Sequence, residues 1–226
     1  SLLVGLLCIL WSACSTTKNL PEGEILYTGI DKLEVVNEDK TLAGVTALTE
    51  VEAALAYAPN NAILGSSSLR WPIPFGLWVY NGFEKYQDKK GVGRWIFDHL
   101  GKSPVLMSSV NGETRAKVAT NLLRDYGYFN GSVSYQEVPQ KNPKEAKVSY
   151  VIDMAQPYFL DSIAYLRYPH YADSLIRSTH SQSVLKSGEN FSVLKLEEER
   201  QRLSNLFRNP GYYYYRPEFT TYRADT

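Results

Sequence analysis

Three histidines (His99, His170 and His180), two cysteines (Cys8 and Cys14) and the acidic run Glu197-Glu198-Glu199 are the side chains best suited to metal ligation, nucleophilic attack or proton transfer. Their spacing argues against each. No histidine has another within three to five residues, the separation that sets two imidazoles on one helix face for zinc, and no cysteine follows position 14. His170 and His180 flank one predicted helix and are expected to be exposed or capping. Glu198 precedes Arg202 by four residues and Glu199 by three, the spacing of paired charges on a solvated helix face. Gly91-Val92-Gly93 lacks both the further glycine and the preceding strand of a nucleotide-binding turn, and neither a Gly-x-Ser-x-Gly elbow nor a phosphate loop is present. The run Tyr212 to Tyr215 is expected as a strand whose rings alternate between two sheet faces. No set of residues supports general acid and base chemistry, so neither enzymatic activity nor a metal or cofactor is expected. Lys plus Arg and Asp plus Glu both number 24, which leaves no basic field to attract nucleic acid.

The elements that would carry any site are read from a repeat. Leu122-Leu123-Arg124-Asp125-Tyr126-Gly127-Tyr128-Phe129 returns as Leu206-Phe207-Arg208-Asn209-Pro210-Gly211-Tyr212-Tyr213, displaced by 211 − 127 = 84 residues. An apolar stripe at helical spacing precedes each copy, formed by Ala119, Leu122 and Leu123 with Val118 alongside in the first and by Val193, Leu196, Leu203, Leu206 and Phe207 in the second. Gly127 and Gly211 stand where a left-handed residue ends a helix, and the aromatics after them are expected to enter a strand. A period of this size is that of a small folded module.

At the amino end, Leu2 to Trp11 is an apolar run too short to span a bilayer of about 30 Å, and it fits the core of a secretory signal. Ser12-Ala13-Cys14 resembles the end of a bacterial lipobox, although Trp11 stands where Leu is usual, so Cys14 is the candidate lipidation site. The chain starts without Met and is expected to be a fragment, with a truncated signal at 1–13 and a lipidated Cys and tether at 14–23.

Beyond the tether, Ile25 to Val36 is predicted as a strand, and Thr49 with Glu52 fits a capping box opening a helix that ends at Pro59. A helix over Asn111 to Tyr126 follows. Val133 and Tyr135 share a face of one strand, Val148, Tyr150, Ile152 and Met154 a face of the next, with a polar turn over Pro139 to Glu145. The order then restarts with a strand from Phe159 to Leu166, a helix opened by Pro169, a helix capped by Ser192 and running to Asn209, and a strand from Tyr212 to about Tyr222.

Two such β-α-α-β-β units, each with helix-Gly-Tyr-aromatic before its second strand, together with Leu185-Lys186-Ser187-Gly188-Glu189-Asn190-Phe191, resemble polypeptide-transport-associated (POTRA) domains. The segment from Cys14 through Leu20-Pro21-Glu22-Gly23-Glu24, and Arg70-Trp71-Pro72-Ile73-Pro74-Phe75-Gly76-Leu77-Trp78, are similar to the N-terminal part of the TamL family, lipoprotein relatives of TamA and BamA. The resemblance implies an α+β fold of tandem POTRA-like modules. One is expected at 24–156 with an insertion at 65–104, and a second, incomplete one at 157–226. Each would be a three-stranded mixed sheet of order first, third, second with two helices on one face. It also implies an outer-membrane, lipid-anchored protein with this region in the periplasm. Its partners would be unfolded outer-membrane proteins, outer-membrane lipid and its own C-terminal barrel.

In that order the second strand is an edge that an extended client can join by main-chain bonds. The candidate edges are Ser132, Val133, Ser134, Tyr135, Gln136, Glu137 and Val138 in the first unit and Tyr213 to Thr221 in the second, where Pro217 would interrupt pairing. The insertion holds all three tryptophans outside the leader. Trp71, Phe75, Trp78 and Trp95 either close a local core, or meet a membrane or partner with Lys85, Lys89, Lys90 and Arg94 near headgroups, or stack on sugars. The last option defines the alternative function, a surface lipoprotein that binds glycans.

Overall fold

The computed structural model describes residues 16–67 and 69–225. Cys14 and the signal segment, and with them the lipidation expectation, lie outside the described residues. Three strands, β1 (Leu26–Val36), β2 (Ser132–Pro139) and β3 (Glu145–Asp153), form one sheet of order β1-β3-β2. The helices are α1 (Leu42–Leu55), α2 (Phe75–Phe83), α3 (Val92–Leu100), α4 (Met107–Val110), α5 (Gly112–Asp125), α6 (His170–Ser178) and α7 (Val193–Arg208). The described residues fall into two compact units. One holds the residues through Val35 with Glu52–Ala119 and Val133–Ile152, and the other holds Val36–Val51, Thr120–Ser132 and the chain from Asp153 onward.

In the first unit the sheet is mixed. Leu26 N–H donates to Lys144 O and Met154 N–H to Val36 O, and the equal offsets (144 − 26 = 154 − 36 = 118) make β1 and β3 parallel. Gln140 N–H donates to Glu145 O where β2 turns back antiparallel into β3. The expected alternation of β3 holds, since Ala146, Val148, Tyr150 and Ile152 are buried, with Met154 in step beyond the strand. Arg115 on α5 donates to the carbonyls of Ala54 and Ala56 at the end of α1, at 2.9 and 3.3 Å, and its guanidinium lies 4.7 Å from the Tyr57 ring. One cation thereby satisfies carbonyls that a helix end leaves orphaned. Tyr27, whose hydroxyl donates to Tyr57 O, has its pKa pushed up to about 12 by burial and the neighbouring Tyr150, against the pull of Arg70 and Arg115.

Helix α1 starts seven residues before the predicted capping box. Its cap is Thr41, whose hydroxyl accepts from Gly44 N–H at 3.1 Å, while Asp39 accepts from Thr41 N–H at 2.9 Å. Thr49 sits inside the helix with its hydroxyl turned back onto Val45 O. The box pattern therefore marks no terminus, because a mid-helix Thr finds an acceptor one turn behind it. Trp71-Pro72-Ile73-Pro74 is non-helical, as the prolines require, and α2 opens directly after Pro74.

In the second unit Ala172, Ile176, Leu203 and Phe207 form the core of α6 and α7, with Tyr165, Tyr168, Leu206 and Tyr215 packed against it. Ser192 caps α7 as expected. Two predicted strands are absent. From Phe159 to Leu166 only Phe159 makes a bridge, to Asn190. After Gly211 the chain turns, Tyr215 packs on Phe207 at 4.6 Å, and Pro217–Phe219 is a single 3-10 turn. A strand exists only where a ladder partner pairs its backbone. The first segment pairs only at its start, where Leu160 N–H donates to Glu189 O, Gly188 N–H to Leu160 O and Phe191 N–H to Tyr158 O, too short a stretch to extend to Leu166. The second has no ladder among the described residues, and Pro217 has no N–H to offer one.

The repeated turn recurs in geometry. Tyr128 N–H donates to Leu123 O at 2.9 Å and Tyr212 N–H to Phe207 O at 3.2 Å, across glycines at φ 90° and 116°. The surroundings differ. A Cβ on Gly127 would meet Phe191 O at 2.8 Å, whereas one on Gly211 would meet nothing within 4 Å. Gly211→Ala should therefore cost only the left-handed strain of about 1–2 kcal/mol, and Gly127→Ala clearly more, which urea unfolding of the two variants measures.

Candidate functional site

The sheet order leaves β2 with one neighbour, and its side chains are largely exposed from Ser132 to Pro139. All seven expected edge residues, Ser132 to Val138, lie on this strand. Beside it opens a recess of about 200 Å³ lined by Met107, Ser108, Asn111, Gly112, Glu113, Tyr135 and Glu137. An extended backbone laid along β2 would thus find main-chain groups to pair with and room for a side chain next to the strand.

The opposite margin of the sheet is treated differently. Tyr27 N–H donates to Val105 O and Met107 N–H to Ile25 O, so the 105–107 segment lies along the start of β1. Arg70 then places its guanidinium against Gly29, donating to Thr28 O at 3.4 Å and Ile30 O at 3.2 Å. Covering an edge with a loop and a cation is a standard defence against unwanted strand pairing. The role of Arg70 was invisible in sequence, because its acceptors are backbone atoms forty residues away.

The insertion contains a small core and an exposed face. Tyr80 on α2 packs on Phe97 of α3 at 5.2 Å, and Leu77 and Asn81 are buried. Trp78 is half-buried, with its indole N–H enclosed and unpaired. Trp71, Phe75 and Trp95 are 62%, 62% and 55% exposed, and no residue of α3 is buried. Trp95 stacks on His99 at 4.9 Å. The four aromatics singled out in sequence thus divide, Trp78 facing inward and the other three outward.

Glu199 departs from the solvated-face expectation. It is 0% exposed. Tyr165 O–H donates to it at 2.7 Å and Val184 N–H at 2.9 Å, and Arg202 forms a fork to both carboxylate oxygens at 2.9 and 2.5 Å. The i,i+3 pairing with Arg202 was legible, but the residues supplied by the 165–184 segment were not. With every acceptor filled, Glu199 is a structural group and carries no unpaired oxygen for catalysis. His170 and His180 are exposed at the two ends of α6 and its following turn.

Burial tends to raise the Glu199 pKa, yet the hydrogen bonds from Arg202, Tyr165 and Val184 win and hold it below the ordinary 4.5. The stabilisation it contributes is present above that value and is lost as pH falls through the lower native one. Thermal melts of the chain should accordingly weaken below about pH 4.5, the unfolded value of this carboxyl. Glu199→Gln should lose about 3 kcal/mol at pH 7 and flatten that acid slope.

No protein family matches this sequence, and no curated protein matches it. Among solved structures, the crystal structure of Haemophilus influenzae BamA POTRA3-5 aligns at 10% identity over 86% of this chain and 89% of that one, with a TM-score of 0.29. A likeness at that score is too loose to fix an architecture. No described helix is long and apolar enough to cross a membrane.

Proposed function

We propose that this chain is the POTRA region of an outer-membrane protein assembly or translocation factor of the TamL type, without enzymatic activity. In this reading two modules, 24–156 and 157–226, stand in the periplasm, tethered to outer-membrane lipid through Cys14. They pass unfolded outer-membrane proteins toward a C-terminal barrel. The single observation that carries the proposal is the asymmetry of the sheet, whose β1 margin is occupied by Arg70 and the 105–107 segment while β2 stays exposed beside a recess.

Main-chain pairing suits a client whose sequence varies, because every residue except proline offers the same donor and acceptor. Each added bond contributes about 0.5–1.5 kcal/mol net, so a short segment would bind weakly and leave again, as handing it onward requires. The repeated helix-Gly-aromatic turn supports a tandem arrangement, since both copies share the same closing hydrogen bond.

Amide spectra of the chain from position 14 with Cys14→Ser, titrated with extended peptides of barrel-strand sequence, test the proposal. The expected outcome is perturbation of the Ser132 to Val138 amides with unchanged β1 amides. Oligosaccharides that shift the Trp71 and Trp95 indoles while the peptides leave β2 untouched would instead establish the glycan-binding lipoprotein.

A further inference from the structure

The first described residues are not a loose tether. Asn81, buried on α2, donates from its side-chain amide to Thr16 O at 3.3 Å and accepts from the Asn19 side chain at its own backbone carbonyl, also at 3.3 Å. The Thr16 hydroxyl donates to the Glu145 carboxylate, and the Asn142 side chain donates to Thr17 Oγ1 at 3.4 Å. Residues 16–19 are therefore clamped between α2 and the β2–β3 turn. Cys14 precedes Thr16 by two residues, and two residues of chain reach at most about 7 Å.

That short leash decides which surface meets the lipid. A bilayer holding an acyl group on Cys14 cannot lie far from α2, and the helix pair α2 and α3, with the segment before it, presents large apolar side chains outward. Phe75 opens α2, Trp71 precedes it, and Val92, 75% exposed, shares a face of α3 with Trp95 and His99 at i, i+3 and i+7. From Phe75 to Lys102 the chain holds five basic residues (Lys85, Lys89, Lys90, Arg94, Lys102) against three acidic ones (Glu84, Asp88, Asp98), an excess of two in a chain whose total balances at zero. Lys85 and Lys89 place their ammonium groups 5.1 and 5.5 Å from the Tyr86 ring. Outward indoles and phenyl rings flanked by lysines are the composition of a surface that rests in the headgroup layer, the rings in the acyl boundary and the cations among phosphates.

We infer that the outward face of the α2–α3 hairpin, through Trp71, Phe75, Val92 and Trp95, docks on the same leaflet that holds the Cys14 lipid, and so sets the orientation of the sheet unit at the membrane. The inference rests on Cys14 being lipidated. Its function is orientation, because a lipid anchor alone is a single point of attachment, whereas a second contact on the helix pair that holds residues 16–19 fixes how the sheet unit faces the membrane.

The processed lipoprotein, in vesicles of phosphatidylethanolamine, phosphatidylglycerol and dibrominated phosphatidylcholine, provides the test. Removal of the signal takes Trp11 with it and leaves Trp71, Trp78 and Trp95 as the emitters, isolated in turn by replacing the other two with Phe. Trp71 and Trp95 emission should shift to the blue and be quenched by bromine, with Trp78 emission unchanged, and the unsubstituted protein should show partial quenching. Mass spectrometry of the N-terminal peptide reads the anchor separately. An acylated Cys14 with no quenched indole overturns the docking and leaves the anchor standing. An unacylated Cys14 overturns the anchor and the docking together. A blue shift that appears only on adding outer-membrane protein, and not with lipid, makes the face a protein-binding surface and overturns the inference.

Discussion

Parallel strands cannot be joined by a tight turn, and this constraint shapes the sheet unit. The chain leaving β1 at Val36 must travel through all the helices from α1 to α5 before β3 can lie beside β1. The β2–β3 hairpin then fills the other side of β3. With its central position taken by the last strand to arrive, the sheet is left with β1 and β2 at its margins. Everything proposed for β2 follows from that order, and the different fates of the two margins follow from what the long crossover brings along. Its 65–107 portion supplies Arg70 and the 105–107 segment to β1, while the side chains of β2 remain largely exposed.

Identical local chemistry is put to different use in the two helix-Gly-aromatic turns. In both, a positive-φ glycine lets the following tyrosine N–H reach back to a carbonyl of the last helical turn. Tyr128 is fully buried and its hydroxyl donates to Asp39 at 2.6 Å, while Phe129 packs on Tyr158 and Phe191 at 5.2 and 5.0 Å. Burial first, then the Asp39 carboxylate, push the Tyr128 hydroxyl well above its usual pKa. Tyr212 and Tyr213 are substantially exposed. The turn is a local solution to ending a helix, and burial of its aromatics depends on which segments are packed around it.

Charged residues at matching repeat positions show the same separation of local and tertiary causes. Arg115 and Glu199 differ by the repeat offset of 84 and stand on the helix before each glycine, Arg115 partly and Glu199 fully buried. One closes the end of α1 and packs on Tyr57, and the other gathers Tyr165, Val184 and Arg202. Opposite charges serve because each meets what the adjacent segment offers, carbonyl oxygens in the first case and N–H and O–H donors in the second.

Periodicity and steric rules, which act within a few residues, made much of the local structure legible from sequence. The limits of β1, the inward face of β3, the Ser192 cap, the left-handed glycines and the helix barred from Trp71 to Pro74 all follow from hydrophobic spacing or backbone sterics. Three things depended on partners distant in sequence. Thr49 sits mid-helix because Thr41 and Asp39 cap earlier, Glu199 is buried because the 165–184 segment brings it donors, and Tyr212 to Tyr222 is no strand because no ladder pairs with it among the described residues. A hydrogen bond needs its second atom, and which atom arrives is settled only when the chain has folded.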